Sequence, residues 1–188
     1  MADRASALDG HYEPGVYGPE SEDGPGVILQ QVPDLLLCQV AAWPDTLAEA
    51  GACVREAAGV DRIPGPGRAV VAGNAAVLCI EPLKCWLIGV ETPSIDPQIG
   101  ASLDLSHSRT RILISGREAV SLINSFLPLD LRLESFSEDS VAYSALHHVG
   151  ITLWRSSVGY VLFFPRGFAR SCWEVILVSA RQFSVEVR

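Results

Sequence analysis

Residues 104–131 read DLSHSRTRILISGREAVSLINSFLPLDL, and the change of period inside this stretch decides the fold. Ile112 and Ile114 lie two apart and share one strand face, with Arg109, Arg111 and Leu113 on the other. SGRE at 115–118 has the form of a capping box, in which Ser115 takes an orphan amide of the first turn and Glu118 reaches back. Ala119, Leu122, Ile123 and Phe126 then recur at helical spacing as a buried stripe, and Pro128 stops the helix. A half-buried strand thus feeds directly into an amphipathic helix. No nucleophile elbow, phosphate loop or metal cluster lies within it.

Downstream, residues 145–154 read as one strand, with Val149, Ile151 and Leu153 on one face and Thr152 and Trp154 on the other. SSVG at 156–159 turns the chain. Residues 160–164 return apolar on both faces, which marks a central or interfacial strand. Trp173, Ile176, Leu177 and Ala180 form a helical stripe, and Phe183, Val185 and Val187 alternate as a final strand. Upstream, LLLCQVA at 35–41 has a strand's length. Asp45 is placed to cap a helix carrying Leu47, Ala50, Gly51, Val54 and Ala58, and Gly59 fits its C′ position. Apolar segments at 69–72, 77–80 and 85–90, parted by Gly73-Asn74 and Pro82-Leu83, read as hairpin-linked strands. Residues 91–102 are a loop between two halves. The order β-α-β-β-β, then β-α-β-β-α-β, makes residues 27–188 a single α+β domain. Its sheets are antiparallel or mixed with helices packed on one face, and a split-βαβ pseudo-repeat is one reading of it. Residues 1–26, acidic and rich in Gly and Pro, are expected to form a flexible arm, with Tyr12, Val16 and Tyr17 its apolar exceptions.

Of the 188 residues, 48% are hydrophobic and only 19% charged, so the chain must be compact or share surface with a partner. A formal net charge of −8 disfavours nucleic acid and a polybasic membrane contact, both of which rest on clustered Lys and Arg. The first residues carry no apolar signal-peptide core, and no apolar run approaches the roughly 20 residues of a membrane span. The expectation is a cytoplasmic protein. Its five cysteines show no CxxC pair and read as buried thiols in a reducing compartment.

Candidate chemistry is thin. His147 and His148, adjacent on a strand, point to opposite faces and cannot easily clamp one ion, and His107 is the only further imidazole outside the arm. Asp104, Ser106 and His107 offer a carboxylate, a hydroxyl and an imidazole, but a triad is recognised by geometry, and Asp104 and Ser106 suit backbone satisfaction at a strand start. Gly24-Pro-Gly26 and Gly65-Pro-Gly67 are loops, since neither joins a strand to a helix. Arg155, Arg166 and Arg170 gather around the last hairpin and helix start, beside Trp154 and Phe168. They are either solvated charge or contacts for an acidic partner surface. With Tyr12 and Tyr17 of the arm, these seven residues are the candidate partner interface. No catalytic, cofactor-binding or metal residue is assigned.

The same motifs carry a resemblance. Residues 104–131 are similar to the segment of the aminomethyltransferase-like (glycine-cleavage T-protein) superfamily in which an Asp-x-Ser strand runs into a Ser-Gly-x-x-Ala helix. The PLDL ending at 128–131, IEPLKCWLIG at 80–89, and the distal LHHVGITLWR and YVLFFPRGFARSCWEVI resemble more narrowly the gamma subunits of heterotetrameric sarcosine oxidases. The start of the tryptophan motif, Glu81 to Trp86, departs from the usual pattern. The resemblance implies the N-terminal fold of T-protein and a non-catalytic subunit that packs on alpha, beta and delta chains, chiefly alpha. It also implies that FAD, FMN, NAD, tetrahydrofolate and zinc belong to those other chains, with no cofactor on this one. Such complexes demethylate sarcosine or a related N-methyl amine, passing the one-carbon unit to tetrahydrofolate and electrons through flavin to oxygen. A stand-alone folate-binding or one-carbon transfer protein of the T-protein type is the alternative.

Overall fold

The computed structural model describes residues 5–188; residues 1–4 of the expected arm lie outside the described residues. In chain order the elements are β1 (Gly15–Tyr17), β2 (Val27–Gln31), β3 (Leu37–Ala42), α1 (Leu47–Ala58), β4 (Arg68–Ala72), β5 (Ala75–Glu81), β6 (Lys84–Ile88) and β7 (Gly100–Asp104). They continue as β8 (Arg109–Ser115), α2 (Ala119–Asn124), β9 (Val141–Leu146), β10 (Val149–Ser156), β11 (Gly159–Pro165), α3 (Ala169–Ala180) and β12 (Val185–Val187). The protein is α+β, with one sheet ordered β1-β12-β2-β8-β11-β10-β9 and another ordered β4-β5-β6-β3-β7. β12 runs parallel to β2, whereas β8 is antiparallel to both its neighbours.

The chain divides into two compact units where the sequence reading has one domain. The first comprises the described residues up to Pro33, Ser108–Glu138 and Tyr143–Arg188, and the second comprises Asp34–His107 and Asp139–Ala142. In the first, the 104–131 stretch behaves largely as its periods dictate. Ile112 and Ile114 are wholly buried, opposite Leu162 and Tyr160 of β11 on one side and Gln31 and Leu29 of β2 on the other. Ala119, Leu122 and Ile123 of α2 and Trp173, Ile176 and Ala180 of α3 are buried with them. α3 packs on β11, α2 on β2, and the two helices on each other. Each such large apolar side chain contributes about 1.5–3 kcal/mol of burial.

In the second unit α1 packs on β3 and β5, and Val54 and Ala58 meet Cys38, Val40, Val77 and Leu87 in one core. Gly59 ends α1 in the left-handed conformation, φ 64°, and its amide donates to the Arg55 carbonyl. A pseudo-repeat is present as topology but not as a split βαβ, because β3 and β4, the strands that α1 joins, run antiparallel to each other. Strand, helix and three-strand meander recur as β3-α1-β4-β5-β6 and β8-α2-β9-β10-β11, and in each the last strand pairs antiparallel with the first. Each helix thus leads to a strand with two others between it and its starting strand.

Five local expectations change. The loop expected over residues 91–102 ends early, because Gly100 to Ser102 belong to β7 and pair with β3. Residues 145–154 are not one strand: the chain reverses at His147-His148, with His147 at φ 52°, so the two imidazoles occupy a turn between β9 and β10. The capping box at 115–118 does not form. Gly116 takes φ 107° and the Glu118 amide donates to the Gly26 carbonyl at 2.9 Å, so a distant backbone oxygen replaces Ser115. Asp45 lies in a single 3-10 turn (Pro44–Thr46) and Thr46 occupies the cap position of α1, its hydroxyl donating to the Ile99 carbonyl. Finally, the described part of the 1–26 segment belongs with the first unit. Leu8 is wholly buried there, β1 pairs with β12, and the Arg117 guanidinium donates to the Asp23 and Gly24 carbonyls.

Candidate functional site

Of the seven candidate interface residues, Tyr12 and Tyr17 lie against the chain's own elements. The Tyr12 ring packs against Trp173, centroids 5.1 Å apart and planes tilted by 37°, and its hydroxyl donates to the Arg188 carbonyl while accepting from the Gln31 amide. Burial raises the Tyr12 phenol above its ordinary pKa, and the Gln31 amide partly offsets this. The Tyr17 ring carries the Arg181 guanidinium 5.5 Å from its centroid. Arg155 lies over Tyr160 in the same way and donates to the Phe136 carbonyl at 2.5 Å. Arg166 donates to the Ala5 carbonyl at 2.7 Å. Trp154 is half-buried, and its Nε1 has no hydrogen-bond partner among the described residues.

Phe168 and Arg170 differ from these. Phe168 is 46% exposed in the 3-10 turn before α3, its ring meeting His148 edge-on. Arg170, one helical step inside α3, makes an exposed pair with Glu174. Arg166, Phe168 and Arg170 are therefore brought together at the start of α3, while Tyr12 is engaged by Gln31 of β2 and by Arg188, and Tyr17 lies on the edge strand β1. Asp104 and Ser106 do what a strand end requires. The Asp104 carboxylate accepts from the Ser106 amide, and the buried Ser106 hydroxyl accepts from the Leu37 amide and donates to the Leu37 carbonyl. Among the described residues, no group of three or more His, Cys, Asp or Glu is placed to hold a metal, and no helix is long and apolar enough to cross a membrane.

Two cavities were not foreseen. One, about 290 Å³, is lined by polar groups of the first unit, among them Ser115, Arg155, Ser156 and Tyr160, and the buried Tyr160 hydroxyl has no partner among the described residues. The other, about 210 Å³, lies in the second unit between α1 and the sheet, with Val40, Val54, Ile63 and Leu83 in its apolar wall. Cys79 and Cys85 also line it. The Cys85 thiol hydrogen-bonds to the Cys79 sulfur, lowering the Cys79 pKa and raising that of Cys85. Cys79 itself donates to the Glu81 carbonyl at 3.2 Å. The hairpin alone gave no sign of this pair, because two-residue turns place residues 79 and 86 opposite each other.

No protein-family model matches the chain, and comparison with curated proteins gives no match. Solved structures do. A chain of heterotetrameric sarcosine oxidase from Corynebacterium sp. U-96, in complex with pyrrole 2-carboxylate, superposes with a TM-score of 0.73 at 21% identity. The match covers 84% of this protein and 85% of that chain. The two share a fold. The glycine cleavage system aminomethyltransferase T from Bartonella henselae superposes with a TM-score of 0.62 at 14% identity, over 87% of this protein but only 48% of that chain. This protein therefore spans about half of the aminomethyltransferase and nearly the whole of the sarcosine oxidase chain.

Proposed function

We propose that this protein is a non-catalytic, gamma-type subunit of a heterotetrameric sarcosine oxidase-like complex. The complex would oxidatively demethylate sarcosine or a related N-methyl amine in the cytoplasm, passing the one-carbon unit to tetrahydrofolate and electrons through flavin to oxygen. FAD, FMN, NAD, tetrahydrofolate and zinc would then belong to the alpha, beta and delta chains, with alpha the main neighbour of this one. The observation that carries this reading is the span of the fold match: 85% of a sarcosine oxidase chain against 48% of an aminomethyltransferase. A chain that matches most of one protein and only half of another is better understood as the counterpart of the first. The residues proposed to meet the partner are the exposed ones at the start of α3; Trp154 and Arg155 lie toward the other end of the β10–β11 hairpin, opposite Val161 and Tyr160.

Co-expression with candidate alpha, beta and delta chains, followed by size exclusion and visible absorption, tests the proposal. A yellow assembly several times larger than the 20.2 kDa of this chain is the expected result. The half-length match to an aminomethyltransferase keeps one other reading in play, a stand-alone folate binder. It predicts instead a colourless monomer whose unfolding temperature rises with added tetrahydrofolate.

A further inference from the structure

We propose that Cys79 and Cys85 form a dithiol modification site, which hydrogen peroxide closes into a cross-strand disulfide. The two residues face each other directly across β5 and β6. A register shift between Cys79 and Glu81 makes this so: Glu81 pairs with Lys84, and the next paired residue of β5 is Cys79, with Cys85. Without the extra residue, Cys79 would oppose Trp86, and the two thiols would lie on opposite faces of the sheet. The backbone phase also suits a bond. The Cys79 carbonyl accepts from the Gly67 amide at 2.8 Å, on the β4 side, so it is turned away from Cys85. On the far side of β6 the Ala42 amide donates to the Leu83 carbonyl at 2.9 Å, which sets Cys85, two residues on, to bond toward Val40. Cys79 and Cys85 are therefore a non-hydrogen-bonded pair, whose Cα atoms stand about 4.5 Å apart with side chains at their closest. Disulfides span Cα separations of about 4.4–6.8 Å.

Both residues line the 210 Å³ apolar cavity beneath α1, which suits a small neutral oxidant. Cys79 accepts the Cys85 hydrogen bond, so it is the sulfur better able to shed its proton and attack. In the first step the Cys79 sulfur attacks one peroxide oxygen and the O–O bond breaks. The sulfur becomes a sulfenic acid, and the departing hydroxide takes the thiol proton and leaves as water. The Cys85 sulfur then attacks the sulfenic sulfur; the S–S bond forms, the S–O bond breaks, and hydroxide leaves with the Cys85 proton as a second water. Two thiols lose two electrons and peroxide gains them. Nothing in this depends on the subunit reading.

The test uses the full-length chain, treated with hydrogen peroxide at neutral pH, alkylated and digested with trypsin. Cleavage after Arg68, Lys84 and Arg109 places Cys79 in peptide 69–84 and Cys85 in peptide 85–109. The expected products are these two peptides joined by a disulfide, with two of the five thiols lost. A Cys85→Ala chain should stop at a sulfenic acid on Cys79, trapped by dimedone. Recovery of both peptides unlinked with alkylated cysteines, or a link joining other cysteines, overturns the proposal. The peptide map of the unsubstituted chain decides between these outcomes even where the variant does not fold.

Discussion

Ser106 and Tyr160 are two buried hydroxyls with opposite accounts. The Ser106 hydroxyl satisfies both the amide and the carbonyl of Leu37, at 3.0 and 3.3 Å. Removing it leaves the Leu37 amide orphaned where water does not reach, while the Leu37 carbonyl keeps the Leu105 amide at 2.8 Å; Ser106→Ala should cost about 1–3 kcal/mol in denaturant unfolding. The Tyr160 hydroxyl is buried without a partner among the described residues, while its ring retains the Arg155 guanidinium 5.5 Å away. Tyr160→Phe removes a desolvated dipole and keeps the ring, so it should be neutral or stabilising by up to about 1 kcal/mol. A clear loss of stability would mean that the hydroxyl is hydrated. Cys172 gives a pH signature. Burial on α3 pushes its thiol from 9.0 up to about 11. The folded state thus favours the neutral thiol more than the unfolded chain does. That contribution is whole below pH 9, and is lost as pH rises from 9 to about 11. The stability difference between the native chain and Cys172→Ala should therefore shrink across this interval, as read from denaturant midpoints at successive pH values.

At the scale of elements, the Gly116 corner between β8 and α2 is the sharpest test of how the chain is joined. Its φ is 107°, and a Cβ there would stand 2.4 Å from the Gly26 carbonyl oxygen, the same oxygen that accepts from Glu118. Gly116→Ala must strain the backbone and push away the acceptor that starts α2. It should cost more than Gly59→Ala, where φ is 64° but nothing lies within 4 Å of the added carbon. The second change costs about 1–2 kcal/mol of backbone strain alone, and thermal unfolding of the two variants ranks them. The same corner shows what a sequence can disclose. Alternation at 112 and 114 and helical spacing at 119, 122 and 123 are local, and the strand and helix follow. The cap is not local, because its acceptor comes from 92 residues earlier along the chain. The pairings of β12 with β1 and β2 are hidden for the same reason. The β9–β10 turn was masked by its residues, since two histidines carry none of the Gly or Asn that usually marks positive φ. The facing thiols were masked by the bulge, which changes register without any signal in residue type. What the sequence discloses of the candidate interface is the clustering of Arg166, Phe168 and Arg170 within five residues. That Arg166 is engaged by Ala5, while Phe168 is left open, needs the fold.

For the whole molecule, the proposed assembly makes a demand on a particular surface. Tyr12, Tyr17, Arg155 and Arg166 each make contacts within the chain, so substituting them mixes folding with binding. Phe168 and Arg170 carry less of that ambiguity, being a 46% exposed ring that meets His148 edge-on and an exposed ion pair of the kind worth at most about 1 kcal/mol. An aromatic ring flanked by arginine is the pairing that interfaces favour, and burying such an anchor typically contributes about 2 kcal/mol or more, a factor of roughly 30 in affinity. Phe168→Ala with Arg170→Glu should therefore leave the isolated chain's unfolding midpoint almost unchanged. Its affinity for the alpha-type partner should fall by about 30-fold or more. Arg170→Glu alone should slow association chiefly at low salt, where an acidic partner surface steers the encounter. Titrating the labelled chain into the partner at two ionic strengths separates these effects. Undiminished affinity in the double variant, with the fold intact, would move the contact away from the start of α3 and leave the subunit proposal to stand on another face.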